Sequence, residues 1–206
     1  MVIAEELEQR LIRHLLPLPK QITFADLAVL ESREMGVVLR EGAGETECEA
    51  ANELRGQISN QGIELTSDGS FQVFIGVGNS EFEEDLRDLR KVRNNEQAYL
   101  IRPVGKGSIV LTALSERGIV FAVRTFCQLL EATISSQEAA VPLVSVTDWP
   151  DLDERGMWNF PDPGSWIPWM SSLKLNYGKM ASTELDPVKA GKPNRAKIDA
   201  PLMVSS

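Results

Sequence analysis

The sequence predicts an α+β fold in which a sheet carries helices on one face. Three observations lead to this fold class. Segments with helical spacing alternate with β-rich runs over residues 15–147, a Gly-Lys-Gly turn at 105–107 separates two such runs, and no repeat or low-complexity segment interrupts them. The composition, with 43% hydrophobic and 25% charged residues, is that of an ordinary globular protein. We therefore expect one compact domain over residues 15–147.

The first third of the chain predicts a helix, a strand and a second helix. Residues 1–16 have amphipathic helical spacing, which we expect to end before Pro17. A short β-rich run at 35–40 predicts a strand. The next helix is expected to start at Thr46, because Thr-Glu-Cys-Glu has the spacing of a capping box. Asn-Gln-Gly at 60–62 predicts its end.

The middle of the chain predicts a buried strand and a charged helix. Residues 71–77 alternate and are rich in β-branched and aromatic side chains, which is typical of a strand. Gly-Val-Gly at 76–78 is interpreted as a turn, because a phosphate-binding loop needs a third glycine and the acidic residues that follow would repel phosphate. Residues 80–93 carry charges of both signs and predict a solvated helix.

A hairpin, a helix and a last strand complete the predicted domain. Residues 98–104 and 108–113 are expected to pair as antiparallel strands around a three-residue loop. Ser115 can cap a helix whose apolar positions recur at helical intervals as far as Ile134. Residues 141–146 predict the final strand, so that helices cover one face of the sheet.

The charge balance excludes several classes of partner. Lysine and arginine number 21 against 30 aspartate and glutamate, so the net charge is −9. An acidic field of this size repels phosphate, and no nucleic acid is expected as a partner. No apolar run approaches the ~20 residues of a membrane span, so no membrane partner is predicted. The charged first residues do not form a secretory signal, and the cytoplasm is the default location.

The scarcity of cysteine and histidine limits the chemistry further. Two cysteines and one histidine cannot form a structural zinc site, so neither a metal nor a cofactor is predicted. His14 is interpreted as a residue on a helix surface. Cys127 lies among apolar residues and is interpreted as a small buried side chain rather than a nucleophile.

The composition changes after Thr147. All four tryptophans lie within residues 149–169, together with several prolines. An exposed indole can stack on the apolar face of a sugar ring, whereas a buried one packs a domain junction, and both interpretations are open. Residues 186–206 carry scattered charges and prolines and predict a loose tail.

Several short motifs, each weak alone, occur in an order that is characteristic of one family. They are Leu-Pro-Leu-Pro-Lys at 16–20, Gln-Ala-Tyr-Leu-Ile at 97–101, Arg-Gly-Ile at 117–119, Thr-Phe-Cys-Gln-Leu-Leu at 125–130, Val-Pro at 141–142, Thr-Asp-Trp-Pro at 147–150 and Arg-Gly-Met at 155–157. Together they resemble the non-catalytic N-terminal α+β domain of glycoside hydrolase family 20, the β-N-acetylhexosaminidases. The likeness covers residues 15–180, and related domains occur in α-glucuronidases and family 84 hydrolases.

The resemblance implies a domain order as well as a fold. We expect an N-terminal helix at 1–14 and a hexosaminidase-type α+β domain at 15–147. The truncated start of a (β/α)8 barrel, one or two β/α units, would follow at 148–185. The loose tail would occupy residues 186–206.

Two substrate-binding residues are predicted, and the resemblance implies the first of them. Arg155 falls on the family's first-strand arginine and would hydrogen-bond hydroxyls of an N-acetylhexosamine-type sugar, because a guanidinium offers a fork of donors. The alternative is an arginine paired with Asp153 or Glu154 at a domain junction. Trp158 stands in the segment where the family has an aspartate and a second arginine, and it is the second predicted substrate contact. In Lys-Leu-Asn at 174–176 the asparagine would be architectural.

The resemblance implies no catalytic residue in this chain. The family's catalytic Asp-Glu pair would lie at the end of the fourth barrel strand. A barrel needs about 250 residues, and those after Thr147 leave room for two β/α units at most. Glu184 and Asp186 match no catalytic motif. We therefore expect the N-terminal accessory portion of a hexosaminidase-like glycosidase, inactive alone, whose partner is the missing barrel or a second copy bound through residues 148–180.

Two other functions are open at this stage. The chain could be a free-standing module that binds a carbohydrate or a protein through the tryptophan-rich segment 149–169. It could also be a truncated gene product without a function of its own, and the DNA beyond codon 206 would distinguish this case by its reading frame.

Overall fold

The computed structural model describes residues 5–135, 137–160 and 163–180, with a short strand at 196–197. The chain divides into two compact units, residues 1–151 and residues 152–206. Apart from the short strand, the tail predicted over 186–206 lies outside the described residues. No helix within the described ranges is long and apolar enough to cross a membrane.

In its described residues, the first unit contains four α-helices and a seven-stranded sheet. The helices are α1 (Glu5–His14), α2 (Glu45–Asn60), α3 (Glu83–Leu89) and α4 (Glu116–Glu131), and short 3₁₀ turns lie at Ser80–Phe82 and Asn95–Gln97. The strands are β1 (Gln21–Val29), β2 (Glu34–Leu39), β3 (Glu64–Leu65), β4 (Phe71–Val77), β5 (Tyr99–Val104), β6 (Ser108–Ala113) and β7 (Ala140–Asp148).

The strands follow the order β1-β7-β5-β6-β4-β2-β3 across the sheet. Strands β2, β4 and β6 run parallel to one another, whereas β5 is antiparallel to β6 and β7, and β1 is antiparallel to β7. The predicted hairpin of β5 and β6 is thus confirmed and lies in the middle of the sheet. A mixed sheet of this kind needs helical crossovers between its parallel strands, which α2 supplies between β2 and β4.

Helices α2 and α4 pack against each other on one face of the sheet. Leu54 and Phe126 are fully buried there against Val73 and Leu111, so the main core lies between the helices and this face. The opposite face carries a second, smaller cluster, in which Leu86 and Leu89 of α3 pack with Ala98 and Leu100. Because α3 has only seven residues, it covers this face at β5 and leaves Val38 of β2 and Phe74 of β4 exposed.

The strands at 35–40, 71–77 and 141–146 are confirmed, with ends that differ by a few residues. The alternation of apolar and polar residues along the chain did not predict strand β1. Its register shifts between Phe24 and Asp26, and this irregularity interrupts the period of two on which sequence recognition of a strand depends.

Several predicted helix ends were wrong. Helix α2 begins at Glu45 after Gly44, and Glu47 rather than Glu49 is the glutamate that returns to the cap, with Oε2 2.8 Å from the amide nitrogen of Gly44. Helix α4 does begin after Ser115, as predicted, but the Ser115 hydroxyl donates to the carbonyl of Glu96 and makes no bond to the helix start. Helix α4 ends at Glu131, so Ile134 lies beyond it, in an isolated bridge.

The charged helix predicted at 80–93 is only seven residues long, over 83–89. A 3₁₀ turn precedes it, capped by Asn79 Oδ1, which accepts from the Glu81 amide at 2.9 Å. Leu86 and Leu89 are its buried side chains. Two apolar anchors support about two turns, because a short helix in water is held mainly by its packed face.

The second unit contains the strands β8 (Gly156–Phe160) and β9 (Tyr177–Met180), the helix α5 (Pro163–Ser172) between them, and the short strand β10 (Ala196–Lys197). The sheet order is β10-β9-β8, and β8 is parallel to β9. A strand, a helix and a parallel strand form a β-α-β unit, which is the repeating element of an α/β sheet or barrel.

Candidate functional site

Of the sequence-predicted site residues, Arg155 directly precedes β8 and Trp158 is the third residue of that strand. We call Arg155, Trp158, Asn176 and Tyr177 the strand-start site, because they bring together the beginnings of β8 and β9. The register pairs Gly156 with Tyr177, so the parallel strands themselves set these residues side by side.

The Arg155 guanidinium is directed at main-chain carbonyl oxygens. Its Nη1 lies 2.6 Å from the oxygen of Leu152 and 3.5 Å from that of Asp153, and its Nη2 lies 2.9 Å from that of Lys174. Of the predicted alternative partners, Asp153 is therefore contacted through its carbonyl group. These bonds tie the loop before β8 to the turn before β9, and the guanidinium is about half-buried between them.

Asn176 completes this connection. Its Oδ1 accepts from the Arg155 amide at 2.8 Å, and its Nδ2 donates to the carbonyl of Asp153 at 2.7 Å. Its own amide donates to the Arg155 carbonyl at 2.8 Å. Because the side chain satisfies one donor and one acceptor of a neighbouring loop, its contacts are those of the architectural residue that the family resemblance implies.

Trp158 presents an open aromatic surface. Its side chain is 64% exposed, and the Tyr177 ring lies beside it with a centroid separation of 6.2 Å and an interplanar angle of 51°. The tilted neighbour holds the indole without covering it. An indole held in this way can stack on an apolar ligand surface, such as one face of a pyranose ring.

The other tryptophans fall into two groups. Trp166 and Trp169 on α5 make an edge-to-face pair at 5.4 Å, and Trp169 is 49% exposed. Trp149 belongs to the first unit, where it packs partly buried against the Leu86 cluster. The two interpretations of the tryptophan-rich segment therefore apply to different members: Trp149 is a packing residue, whereas Trp158 and Trp169 are largely accessible.

The first unit contains a buried carboxylate that the sequence analysis missed. Glu47 is fully buried, and its two oxygens accept from Arg40 Nε at 2.8 Å and Nη2 at 2.6 Å and from the amides of Gly44 and Val77 at 2.8 Å. Burial by itself would raise the pKa of Glu47, but the Arg40 guanidinium and the two amides hold that pKa below its ordinary value. This contact joins the start of α2 to the ends of β2 and β4.

A second buried polar group lies where β7 ends. The Tyr99 hydroxyl donates to Asp148 Oδ2 at 2.8 Å and lies 2.6 Å from Thr125 Oγ1, while the Lys20 amide donates to Asp148 Oδ1 at 3.1 Å. Burial and the nearby Asp148 charge raise the pKa of Tyr99 well above its ordinary value. The phenol therefore stays protonated and acts as a fixed donor that holds β5, β7 and α4 together.

His14 and Cys127 are the two residues considered for nucleophilic or relay chemistry, and their surroundings fit structural roles. His14 is exposed at the end of α1, as predicted. Burial raises the pKa of the Cys127 thiol far above its ordinary value. A thiol that remains protonated is a poor nucleophile, which agrees with its interpretation as a small packing residue. Glu184 and Asp186 lie outside the described residues.

Sequence reasoning found Arg155, Trp158 and Asn176 but missed Tyr177 and Glu47. Tyr177 follows directly after Lys-Leu-Asn. Its position next to Trp158 could therefore have been inferred if β8 and β9 were assumed to be parallel neighbours. The bond of Glu47 to Gly44 is local, but its contact with Val77 could not be inferred from the sequence, because β4 is a separate segment of the chain.

Comparison with known proteins identifies the first unit. Residues 13–149 match the family model for glycosyl hydrolase family 20, domain 2. The exo-β-N-acetylglucosaminidase of family 20 from Vibrio harveyi, solved in complex with N-acetylglucosamine, is similar with a TM-score of 0.60 and 20% identity, over 81% of this chain and 25% of that chain. The chitobiase from Flavobacterium johnsoniae is similar with a TM-score of 0.61 and 14% identity, over 82% of this chain and 27% of that one.

The chain thus spans about a quarter of the length of these hydrolases. At this level of identity, the solved structures show a shared fold. The family model covers more than half of the chain and includes both the mixed sheet and its two covering helices. The chain belongs to glycosyl hydrolase family 20, as a protein that contains the family's domain 2.

Proposed function

We propose that these 206 residues act as the N-terminal accessory portion of a β-N-acetylhexosaminidase-like glycoside hydrolase. The first unit supplies the family's non-catalytic domain, and the β-α-β unit after it supplies the first elements of the catalytic barrel. The chain alone hydrolyses no glycoside, and activity requires the rest of a barrel.

The match of residues 13–149 to domain 2 carries this proposal. The parallel order of β8, α5 and β9 after that domain supports it, because a (β/α)8 barrel begins with such a unit. Glycoside hydrolysis in this family type needs a carboxylic acid next to the scissile bond. The sequence contains no Asp-Glu pair that matches a barrel-strand end, which supports the inactivity of the isolated chain.

The test is an assay of the purified 206-residue chain with 4-nitrophenyl N-acetyl-β-D-glucosaminide. We expect release of nitrophenol at the rate of buffer alone, and the same rate for the Arg155→Ala variant as a matched control. Turnover by the pure chain that falls on Arg155→Ala would contradict the proposal, because it would show a complete site around that residue.

A second candidate function is binding of a carbohydrate without hydrolysis. The exposure of Trp158 favours it, since 64% of this indole is accessible and Tyr177 supports it from one side. A sugar of the N-acetylhexosamine type would stack on the indole.

Titration with N-acetylglucosamine while tryptophan fluorescence is recorded tests this candidate. We expect a saturable change that the Trp158→Ala variant loses and the Trp149→Phe variant keeps, because Trp149 is a packing residue of the first unit. A change of equal amplitude in wild type and Trp158→Ala, or no saturable change in wild type, would exclude this tryptophan as a sugar platform.

A further inference from the structure

The face of the seven-stranded sheet that α2 and α4 leave uncovered carries an apolar groove. Its volume is about 320 Å³, and it lies over β2, β4 and β6. We call this the sheet groove. Its apolar surface comes from Val38, Phe74, Val104 and Val110.

The floor of the groove is a straight apolar row. Val38 pairs in register with Phe74, and Phe74 pairs with Val110, so three neighbouring strands each contribute one side chain. Val38 is 38% exposed and Phe74 is 40% exposed. Such exposure is unusual for large apolar residues that lie together at the middle of a sheet, and grouped apolar surface often marks a contact site.

The rows of side chains on either side of Phe74 contain glycines, and other side chains already cover them. At Gly76 a Cβ would lie 2.7–2.9 Å from the aliphatic carbons of Arg40, so the arginine stem lies flat over this glycine. At Gly36 a Cβ would overlap the Gln72 amide, which donates from Nε2 to the carbonyls of Ser67 and Gly69. The row with Phe74 therefore remains the accessible apolar part of this face.

The uncompensated charges near the groove are two glutamates and one arginine, so their sum is negative. Arg40 pairs with Glu47 at 2.6 Å and Arg102 pairs with Asp85 at 2.8 Å, whereas the exposed Arg87 on α3 has no ion pair among the described residues. Glu81 lines the groove and is exposed, as is Glu84 three residues further on. Within the described part of the chain, no cation lies within ion-pair distance of either carboxylate.

The uncovered part of this face is centred on Val38 and Phe74. These two side chains stand on neighbouring strands about 4.8 Å apart, and Val110 beyond Phe74 is only 5% exposed. Helix α3 already covers the adjacent part of the same face through Leu86 and Leu89. A helix placed beside α3 would complete the second layer over the sheet and would pass next to Glu81 and Glu84.

We propose that the sheet groove binds a basic amphipathic helix of another protein. The apolar stripe of that helix packs on Val38 and Phe74, and lysine or arginine residues on its flank pair with Glu81 and Glu84. Helix-in-groove recognition of this kind combines apolar anchors with charge complementarity at the border. A second copy of this chain fits less well, because each copy carries a net charge of −9.

The test uses the full 206-residue chain and two labelled 18-residue synthetic helices that differ only in charge, one built from leucine and lysine and the other from leucine and glutamate. Fluorescence anisotropy at about 0.1 M salt measures binding. We expect saturable binding of the leucine/lysine helix, a loss of at least tenfold on Phe74→Ser, and no binding of the leucine/glutamate helix.

Two further variants separate the apolar contact from the charge contact. Val29→Ser is the matched apolar control, because Val29 is 71% exposed on β1 at the far edge of the sheet, and it should bind as wild type. The Glu81→Gln, Glu84→Gln double variant should bind several-fold more weakly and with a smaller dependence on salt.

Three results would overturn the proposal. Equal binding of both helices, or unchanged binding after Phe74→Ser, would overturn the proposal. Self-association of the wild-type chain that Phe74→Ser removes would also overturn it, since the occupant would then be a second copy. Val38→Ser replaces Phe74→Ser if circular dichroism shows that the latter is unfolded, with the same expected loss.

Discussion

At the residue scale, we expect substitution of Glu47 to lower the stability of the first unit. It is fully buried, and four N–H donors from Arg40, Gly44 and Val77 surround its two oxygens. Hydrogen bonds to a charged group are the stronger ones, and a donor left without its acceptor keeps its desolvation cost. The side chain of Arg40 is 39% exposed, so water can hydrate the guanidinium if Glu47 is removed.

We predict that Glu47→Gln lowers the free energy of unfolding by about 2 kcal/mol, the order expected for charge-assisted hydrogen bonds with one partly exposed member. Chemical denaturation measures the change. Glu45→Gln is the matched control, because Glu45 lies exposed in the same first turn of α2 and should change stability by less than about 1 kcal/mol. Equal effects of the two substitutions would show that burial of Glu47 is not the cause.

The same residue predicts a pH dependence. The pKa of Glu47 is lower in the folded protein than the ordinary value of 4.5. Its stabilising effect is therefore complete above that value and is lost as the pH falls through the lower folded pKa. We expect the difference in stability between wild type and Glu47→Gln to be constant above about pH 5 and to shrink below it. A difference that stays constant down to pH 3 would contradict this assignment.

At the element scale, the central hairpin and α4 depend on a close contact at Gly118. A Cβ at this position would overlap the carbonyl oxygen of Ala98 and would lie 2.7 Å from the Cβ of Ala113. Helix α4 can therefore approach β5 and β6 only because residue 118 has no side chain. Gly56 in α2 is different, since no atom lies within 4 Å of the place where its Cβ would be.

The two glycines should respond to the same substitution with opposite signs. Gly118→Ala is expected to lower the free energy of unfolding by about 1–3 kcal/mol, because overpacking forces α4 away from the hairpin. Gly56→Ala is expected to raise it by about 0.5–1 kcal/mol, because alanine favours the helix. Thermal and chemical unfolding of both variants measure the changes. Stabilisation by Gly118→Ala would show that α4 does not contact the hairpin so closely.

At the scale of the whole molecule, the second unit is the less supported part. In the described residues, β8 pairs with β9 alone, although strands of a parallel sheet are ordinarily buried between two neighbours. Trp158, Trp169 and Leu152 are 64%, 49% and 60% exposed. Burial of a large apolar side chain contributes roughly 1.5–3 kcal/mol, and these residues forfeit much of it while exposed.

We predict that the 206-residue chain associates through residues 148–180 into dimers or larger species. A shorter chain that ends at residue 151 should be monomeric, because Asp151 pairs with Lys20 and the carbonyl of Pro150 accepts from Asn94 within the first unit. Sedimentation velocity of both chains measures this. The Trp158→Ser, Trp169→Ser double variant should reduce association without changing the first unit.

Two results would contradict the prediction for the second unit. One is a monodisperse monomer of the full chain at all concentrations. The other is slow amide exchange across residues 154–180, because marginally packed strands should open often and exchange quickly.

Sequence patterns predicted those parts of the fold whose signals are local. The strand at 71–77 and the hairpin around residues 105–107 follow from alternation and turn residues within a few positions. Strand β1 could not be found in this way, because the irregularity between Phe24 and Asp26 breaks its alternation. The candidate site was predictable to the extent that Arg155 and Asn176 stand in recognisable short motifs and Trp158 lies in the tryptophan-rich segment.

The sequence by itself determined the family, the central hairpin and the two residues on which the sugar hypothesis rests. Only the tertiary structure decided what these residues contact: main-chain carbonyls around Arg155, the Tyr177 ring beside Trp158, and the donors around Glu47. It also decided that Val38, Phe74 and Val110 form one row across the sheet, in which Val38 and Phe74 are exposed. The physical reason is that local propensity and periodicity act over a few residues, whereas each of these contacts joins segments that only sheet register and helix packing bring together.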